Sequence, residues 1–333
     1  MPRVIPTVKE IVKGFAAKDR SMLARAITLT ESSRPEDAAV RVELLSALQH
    51  LTGKARRVGI SGVPGVGKST FIEVFGLHLI EQGKSVAVLA VDPSSTVSGG
   101  SILGDKARMN RLAQRPEAFI RPSPNASSLG GVANRSRESL LLCEAFGFDV
   151  VLVETVGVGQ SETMVADMVD FFFVLMLPGA GDELQGIKRG ILELADMIAV
   201  NKADGNLLPQ AREAQAEYSA ALRYTRPHTD GWTPKALLVS ALEGTGLEEV
   251  WQAIEEHHQF MLDSGEHETK RQAQLTSWLW QEVEERLKAA FFGHAAVKQN
   301  LQKVETEVRE GRLTPTEAAR ALLEQFGISE KTQ

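Results

Sequence analysis

Short apolar runs alternate with stretches of helical periodicity through the middle of the chain. The runs occupy positions 57–61, 85–91, 118–121, 150–153, 171–177, 197–200 and 236–239. Because they are apolar throughout and do not alternate with polar positions, they predict strands buried on both faces, as in a parallel sheet covered by helices. We therefore expect an α/β core with a doubly wound, mostly parallel sheet between about 56 and 262.

Residues 7–52 show a helical pattern. Pro35, Glu36 and Asp37 open the pattern, and Gly53 closes it. Its apolar positions are Val40, Val42, Leu44, Leu45 and Leu48. We expect an N-terminal helical extension over 1–54, followed by the α/β core over 55–262.

Helical periodicity returns near residue 266 and continues to the end of the chain. Its apolar positions are Leu275, Trp278, Leu279, Val283, Leu287 and Phe291, and then Val297, Leu301, Val304 and Val308. Thr314 and Glu317 flank Pro315 as a capping box with proline at the first helical position. Trp278 and Trp280 point from different parts of one helix, so one fits a core position while the other fits a contact with a partner. Packing of both rings within the domain is the alternative. The region 263–333 is thus a C-terminal helical arm without a chemical motif.

Composition narrows the classes of function. The chain has 333 residues, 43% of them hydrophobic, and a net charge of −6, which argues against nucleic-acid binding as the main activity. The lone cysteine, Cys143, lies in a helical apolar pattern and is expected to be a core thiol in a reducing compartment. The start lacks the apolar stretch of a signal peptide, and the segment 171–177 is too short to span a bilayer. We expect a cytoplasmic protein without membrane association.

The sequence GVPGVGKS at 62–69 is a complete phosphate-binding loop between a strand-like run and a helical one. Backbone N–H groups of Gly65, Val66, Gly67 and Lys68 would cradle the phosphates of a nucleotide. Lys68 is expected on the outer phosphates and Ser69 on Mg²⁺. The nucleotide-binding residues expected here are Gly62, Val63, Pro64, Gly65, Val66, Gly67, Lys68, Ser69 and Thr70.

Guanine specificity is indicated by Asn201, Lys202 and Asp204, which form an NKAD motif directly after an apolar run. Asp204 can accept hydrogen bonds from both the ring N–H and the exocyclic amine of guanine, whereas adenine would leave this carboxylate unpaired. The Lys202 stem is expected on the purine face, and Asn201 is expected to tie this loop to the phosphate loop. About 40 residues later, a second loop is expected to read the guanine oxygen through a backbone N–H. Its residues are Ser240, Ala241 and Leu242.

Two segments between these motifs are expected to sense the γ-phosphate. Asp92 ends the second strand, where it can reach Mg²⁺ directly or through water, although an ordinary surface loop is the alternative. Glu154 follows the run at 150–153, and the N–H of Gly157 is expected to contact the γ-phosphate. Lys68, Asp92, Glu154 and Gly157 are therefore the candidate catalytic residues. Val158 occupies the position that usually holds a water-positioning glutamine, so hydrolysis without a partner should be slow.

A polar, glycine-rich segment at 178–190 follows the apolar run at 171–177. It combines four glycines with two acids and two bases, which is typical of a loop able to exchange ion pairs between states. A passive connection between a strand and a helix is the alternative.

The segments GVPGVGKST, VDPSS, RPSPNASSLGGVANRSRE, VVLVETVGVGQSE and NKAD, in this order, resemble the MeaB/ArgK family of P-loop GTPases over nearly the whole chain. The resemblance implies a homodimeric, Mg²⁺-dependent GTPase that acts as a chaperone of methylmalonyl-CoA mutase. In that family the GTPase gates loading of adenosylcobalamin, which is the cofactor of the partner enzyme, and protects the mutase from inactivation.

The family's site residues transfer to this sequence by position. The resemblance implies that Asp92, Asp105 and Glu154 serve the metal-sensing loops, together with Ser69 on Mg²⁺. It further implies that 178–190 is a third nucleotide-sensitive loop and that the C-terminal arm over 263–333 forms the dimer contact. The polar contacts of that third loop would be Asp182, Glu183, Gln185 and Lys188.

Three alternative functions remain compatible with a guanine-nucleotide site. A metal-delivery GTPase, as in hydrogenase or urease maturation, needs cysteine or histidine ligands, but the chain has one cysteine and seven scattered histidines. The only sequence-adjacent pair, His257 and His258, diverges on a helix. The second alternative is a nucleotide-controlled binding module with little turnover. The third is a kinase that acts on amino-acid transport, although no separate phosphoacceptor site is visible.

Overall fold

The computed structural model describes residues 6–32, 34–92, 109–122, 129–155, 161–179, 189–224 and 229–328. The chain divides into two compact units, Met1–Gln274 and Leu275–Gln333.

The N-terminal part of the larger unit forms three helices, α1 (Val8–Ala16), α2 (Arg20–Thr30) and α3 (Pro35–Leu48), followed by a short 3-10 turn at Gln49–Leu51. Side chains of Thr7 and Asp19 cap the first two helices by accepting backbone hydrogen bonds. Leu44 and Leu48 are buried as their spacing predicts, but Val42 is 55% exposed because it lies on the opposite face of α3.

The strands of the core are β1 (Arg56–Gly62), β2 (Val86–Val91), β3 (Ala118–Arg121), β4 (Val150–Thr155), β5 (Phe171–Met176), β6 (Met197–Val200) and β7 (Lys235–Leu238). The helices that follow α3 in the larger unit are α4 (Lys68–Glu81), α5 (Asn110–Ala113), α6 (Leu129–Phe146), α7 (Ser161–Ala166), α8 (Arg189–Leu194), α9 (Leu208–Leu222) and α10 (Leu247–Ser264). A 3-10 turn at Gly205–Leu207 precedes α9, and α11 (Glu266–Gly293) runs from the first unit into the second.

The seven strands form one sheet in the order β3-β2-β4-β1-β5-β6-β7, and every neighbouring pair is parallel. This confirms the doubly wound α/β fold, with a sheet that is wholly parallel. The chain adds β2, β3 and β4 on one side of β1 and then β5, β6 and β7 on the other. The carboxyl ends of the strands beside β1 therefore form the crevice where such folds bind ligands.

The core has two apolar layers, one on each face of the sheet. Along β5, Phe172 and Val174 face one layer while Phe171 and Phe173 face the other. The first layer includes residues from α1 to α3 and α6, and the second includes residues from α4 and α10. Cys143 is fully buried in the first layer, and burial raises the pKa of its thiol, as expected for a core cysteine.

The second unit contains the rest of α11, then α12 (Ala295–Arg309) and α13 (Pro315–Phe326). Thr314 and Glu317 form the predicted capping box at the start of α13. Val297 and Val304 are buried, whereas Trp280 on α11 is 61% exposed. In the described ranges, no helix is long and apolar enough to cross a membrane.

Candidate functional site

The phosphate-binding loop joins β1 to α4 at the carboxyl edge of the sheet, as its sequence predicts. Gly65 and Gly67 have positive φ angles of 79° and 92°, which favour glycine. A Cβ atom on Gly62 would lie 2.5 Å from the carbonyl oxygen of Leu175, so the loop can lie this close to β5 only with glycine at this position. Because Gly67 caps α4, the first backbone N–H groups of that helix point toward the loop.

The Lys68 ammonium is held within this loop. Its Nζ donates to the carbonyl oxygens of Gly62 at 2.6 Å and Val63 at 3.4 Å. Burial lowers the pKa of Lys68, while the nearby carboxylates of Glu154 and Glu162 favour its charged form. A cation in this position can bind the outer phosphates of a nucleotide.

Ser69 and Glu154 are in contact beside the loop, and Asp92 follows the end of the neighbouring strand β2. Ser69 Oγ donates to Glu154 Oε1 at 3.3 Å. Asp92 follows Val91, which pairs with Thr155, the residue after Glu154 in β4. Asp92 and Glu154 are only 5% and 3% exposed. Hydroxyl and carboxylate oxygens are the ligands that Mg²⁺ prefers, so this group fits a magnesium ion next to the phosphates.

Asn201, in the first candidate base-binding loop, contacts both the phosphate loop and the second base-binding loop. Its Nδ2 donates to the carbonyl oxygen of Val66 at 2.8 Å, and its Oδ1 accepts from the backbone N–H of Ala241 at 3.1 Å. Asn201 is 1% exposed, so both contacts are shielded from water. The sequence predicted its contact with the phosphate loop, and the structure adds its contact with the loop after β7.

Lys202 and Asp204 lie at the same edge. Lys202 has a positive φ of 60°, and its Nζ donates to the carbonyl oxygen of Gly65 at 3.0 Å. The hydroxyl of Ser240 donates to the Asp204 carboxylate, and the backbone N–H of Glu243 donates to Ser240 Oγ at 3.1 Å. The acceptor expected for guanine is therefore held by the second loop, whose Leu242 side chain is 84% exposed.

Six predicted site residues lie outside the described ranges: Asp105, Gly157, Asp182, Glu183, Gln185 and Lys188. Within the described ranges, no group of three or more histidine, cysteine, aspartate or glutamate side chains is arranged to hold a metal ion. The metal-delivery alternative therefore gains no support from those ranges.

The sequence reasoning missed two features of the site. Glu162, at the second position of α7, is 1% exposed and acts electrostatically on Lys68. No spacing rule connects it to a phosphate loop, although it closes one of the segments that carry the family resemblance. Thr155 Oγ1 also donates to Ser61 Oγ at 2.9 Å, which ties β4 to β1 just before the loop.

Comparison with known proteins agrees with this geometry. The family described as methylmalonyl-CoA mutase-associated GTPase MeaB matches residues 23–296. A putative GTPase of Caulobacter vibrioides is 53% identical, with 94% of this chain and 96% of the relative covered. A probable GTPase of Mycobacterium tuberculosis is 50% identical, with 98% and 97% covered. The crystal structure of a LAO/AO transport system kinase has a TM-score of 0.77 and 39% identity, with 98% of this chain and 100% of that chain covered. The chain therefore belongs to the MeaB family of P-loop GTPases and is itself a GTPase.

Proposed function

We propose that this GTPase is a chaperone of methylmalonyl-CoA mutase, gating the loading of adenosylcobalamin into that enzyme and protecting it from inactivation. The observation that carries the proposal is the match over residues 23–296 to a family described as mutase-associated. The guanine-nucleotide site supplies the chemistry, because GTP binding and hydrolysis provide two states that a partner can distinguish.

In the proposed GTP complex, backbone N–H groups of the loop around Gly65 and Gly67 hold the phosphates. Lys68 leaves its carbonyl partners Gly62 and Val63 for the outer phosphates, because a charge-assisted bond to phosphate is stronger than one to a neutral carbonyl. Ser69, Asp92 and Glu154 would hold Mg²⁺ directly or through water. The bound ion would neutralise charge that develops on the phosphate oxygens during hydrolysis.

The base is bound from the other side of the same loop. Asp204 accepts from the ring N–H and the amine of guanine, and Ser240 keeps the carboxylate oriented. The Lys202 stem covers the purine face while its Nζ remains on Gly65. Because Asn201 bonds to both Val66 and Ala241, it couples base binding to the shape of the phosphate loop.

The third nucleotide-sensitive loop, 178–190, is the proposed point of communication with the mutase. Unassisted hydrolysis should be slow because Val158 replaces the usual water-positioning glutamine. We expect the mutase to accelerate hydrolysis by ordering or supplying the missing groups. Replacing Lys188 or Asp182 with alanine should leave nucleotide affinity and basal hydrolysis within a few fold of wild type. Both variants should lose the acceleration by the mutase, which we expect to be about 5 to 150-fold.

The test compares phosphate release with and without saturating methylmalonyl-CoA mutase. Wild type, Lys188→Ala and Asp182→Ala are measured, with Lys9→Ala as a control because Lys9 is an exposed lysine on α1. Absence of stimulation in wild type would rule out the mutase as the activating partner. Equal stimulation of wild type and both loop variants would make 178–190 a passive connection.

We also propose that the chain is a homodimer, organised as an N-terminal extension (1–54), a GTPase domain (55–262) and a C-terminal dimerisation arm (263–333). Large apolar side chains on α11 support the arm's role, since an apolar surface of this kind favours association. These exposed side chains are Leu275 (54%), Leu279 (59%), Trp280 (61%), Leu287 (57%) and Phe292 (53%).

Sedimentation velocity tests the dimer. Leu279→Glu combined with Leu287→Glu should convert the dimer to a monomer, because each carboxylate would be desolvated in the interface. Gln302→Glu, an exposed change on α12, should leave the dimer intact. A monomeric wild-type protein, or a double variant that still dimerises, would contradict the proposed arm.

A further inference from the structure

A cavity of about 470 Å³ opens at the amino ends of the strands, at the opposite end of the sheet from the nucleotide loops. Arg56 begins β1, Val150 begins β4, and Lys84 precedes β2 by two residues. We call it the basic pocket, because Lys18, Lys54, Arg56 and Lys84 line it. Its volume lies within the range of about 300 to 1,000 Å³ that is typical of small-molecule sites.

Two of these cations are positioned by aromatic rings. Lys18 Nζ donates to the carbonyl oxygen of Phe146 and lies 5.4 Å from the centroid of that ring. Lys84 Nζ lies 5.7 Å from the centroid of the Trp251 ring. Gly147 leaves room for the Lys18 ammonium, which a Cβ atom would meet. The two ammonium groups are therefore oriented before any ligand binds, which lowers the entropy lost on binding.

Two of the three carboxylates that line the pocket pair with arginines, and the third accepts hydrogen bonds from neutral groups. Glu144 pairs with Arg57, with Oε2 2.6 Å from Nη2. Glu255 pairs with Arg56 at 2.9 Å. Asp149 Oδ2 accepts from the backbone N–H and the hydroxyl of Ser85 at 2.8 and 2.7 Å.

In the part of the chain that the structure describes, no carboxylate forms an ion pair with Lys18, Lys54 or Lys84. The lining has four basic and three acidic side chains, so it carries a small excess of positive charge that an anion can neutralise.

We propose that the basic pocket binds a phosphate-bearing small molecule as a second ligand, separate from GTP. Ammonium groups bind phosphate oxygens through short, charge-assisted hydrogen bonds. The apolar surfaces of Leu51, Phe148 and Trp251 also line the pocket and suit the organic part of such a ligand. The concave shape and the volume favour a small molecule over an acidic peptide.

Isothermal titration calorimetry tests the site directly. The protein is first loaded with one equivalent of GDP and Mg²⁺, so that the phosphate loop is occupied, and is then titrated with inorganic pyrophosphate or with adenosine 5′-diphosphate. We expect saturable binding of one further ligand per chain. Similar affinities for the two probes would indicate that the phosphates alone are recognised, and tighter binding of the nucleotide would indicate contacts with the apolar surfaces.

Matched variants assign the binding to the pocket. Lys54→Gln and Lys84→Gln should each weaken binding by about tenfold or more, since each removes a charged donor. Lys9→Gln, an exposed lysine on α1 that does not line the pocket, should have no effect. Circular dichroism verifies that the variants are folded.

Three results would overturn the proposal. The first is the absence of saturable binding of either probe, and the second is unchanged affinity in folded Lys54→Gln and Lys84→Gln proteins. The third is tighter binding of hexaglutamate than of pyrophosphate, which would reassign the surface to an acidic protein segment. GTP hydrolysis is not the readout, so failure here is distinguishable from failure of the proposed chaperone function.

Discussion

Replacing Arg271 with alanine removes the centre of a buried charge network in the larger unit. The Arg271 guanidinium donates to Asp170 through Nε at 3.0 Å and through Nη2 at 2.8 Å. It also donates to the carbonyl oxygens of Gly53 at 2.6 Å and Ala55 at 3.1 Å. Asp170 Oδ2 in turn accepts from the backbone N–H of Arg57 at 3.1 Å. The network thus joins the start of α11 to the segments that lead into β1 and β5.

The expected loss of stability follows from burial. The side chains of Arg271 and Asp170 are each 10% exposed, so water screens the pair only weakly. Removing one partner of a buried ion pair costs about 3 to 5 kcal/mol, because the other charge is left desolvated. We expect Arg271→Ala to lower the free energy of unfolding by that amount. Arg271→Lys keeps a charge but loses the planar fork, and should cost about 1 to 3 kcal/mol.

The effect should depend on pH. Burial alone would raise the pKa of Asp170, but the hydrogen bonds and charge of Arg271 and the charge of Arg57 hold that pKa well below its ordinary value of 3.8. A lowered folded pKa contributes stability that is present above the unfolded pKa and is lost as the pH falls toward the folded value. The difference between wild type and Arg271→Ala should therefore be largest at neutral pH and shrink below about pH 4.

Hydrogen exchange of the β1 and β5 amides, measured by mass spectrometry, reports the free energy of opening in this unit. Arg286→Ala is the matched control, because Arg286 lies on the same helix, is 64% exposed and pairs only with Glu282 among the described residues. Its loss should stay below about 1 kcal/mol. A loss below about 1 kcal/mol for Arg271→Ala, an equal loss in the control, or a larger difference at pH 4 than at pH 7 would refute the reasoning.

Three further predictions concern the nucleotide site. Lys68→Ala should reduce hydrolysis by about 10² to 10³-fold while the circular dichroism spectrum is retained, and near-normal phosphate release from the folded variant would disprove the phosphate role. Asp204→Asn should shift preference from GTP toward XTP in competition binding, because the amide donates where the carboxylate accepted; preference of the wild type for ATP would contradict the guanine assignment. Asn201→Ala should weaken GTP binding by about 10 to 100-fold, since both Val66 and Ala241 lose a buried partner; an unchanged dissociation constant would show that the link between the loops is dispensable.

Local sequence patterns were sufficient to predict the main elements of the core. The apolar runs predicted all seven strands within one or two residues, because a strand buried on both faces must be apolar at every position. Thr314 and Glu317 predicted the start of α13, because a capping box satisfies the free N–H groups of a helix through residues three apart. The phosphate loop and the NKAD motif were predicted in the same way, since their function depends on short runs of backbone and side chains.

Contacts between distant segments depend on the tertiary structure. The pairing of Arg271 with Asp170 joins residues 101 positions apart, and the effect of Glu162 on Lys68 crosses from α7 to the phosphate loop. The residues of each pair are not separated by a helix or strand spacing, so no local sequence pattern predicts their contact.

The sequence by itself determined the strands, the capping box at Thr314 and Glu317, and the two nucleotide motifs, because each depends on neighbours within a few residues or on a fixed spacing. Only the tertiary structure decided that β1 lies between β4 and β5, that Asn201 joins Val66 to Ala241, and that four basic residues from three segments meet in one pocket. The physical reason is that strand order and side-chain proximity result from packing two apolar layers against one sheet, and packing depends on the whole chain.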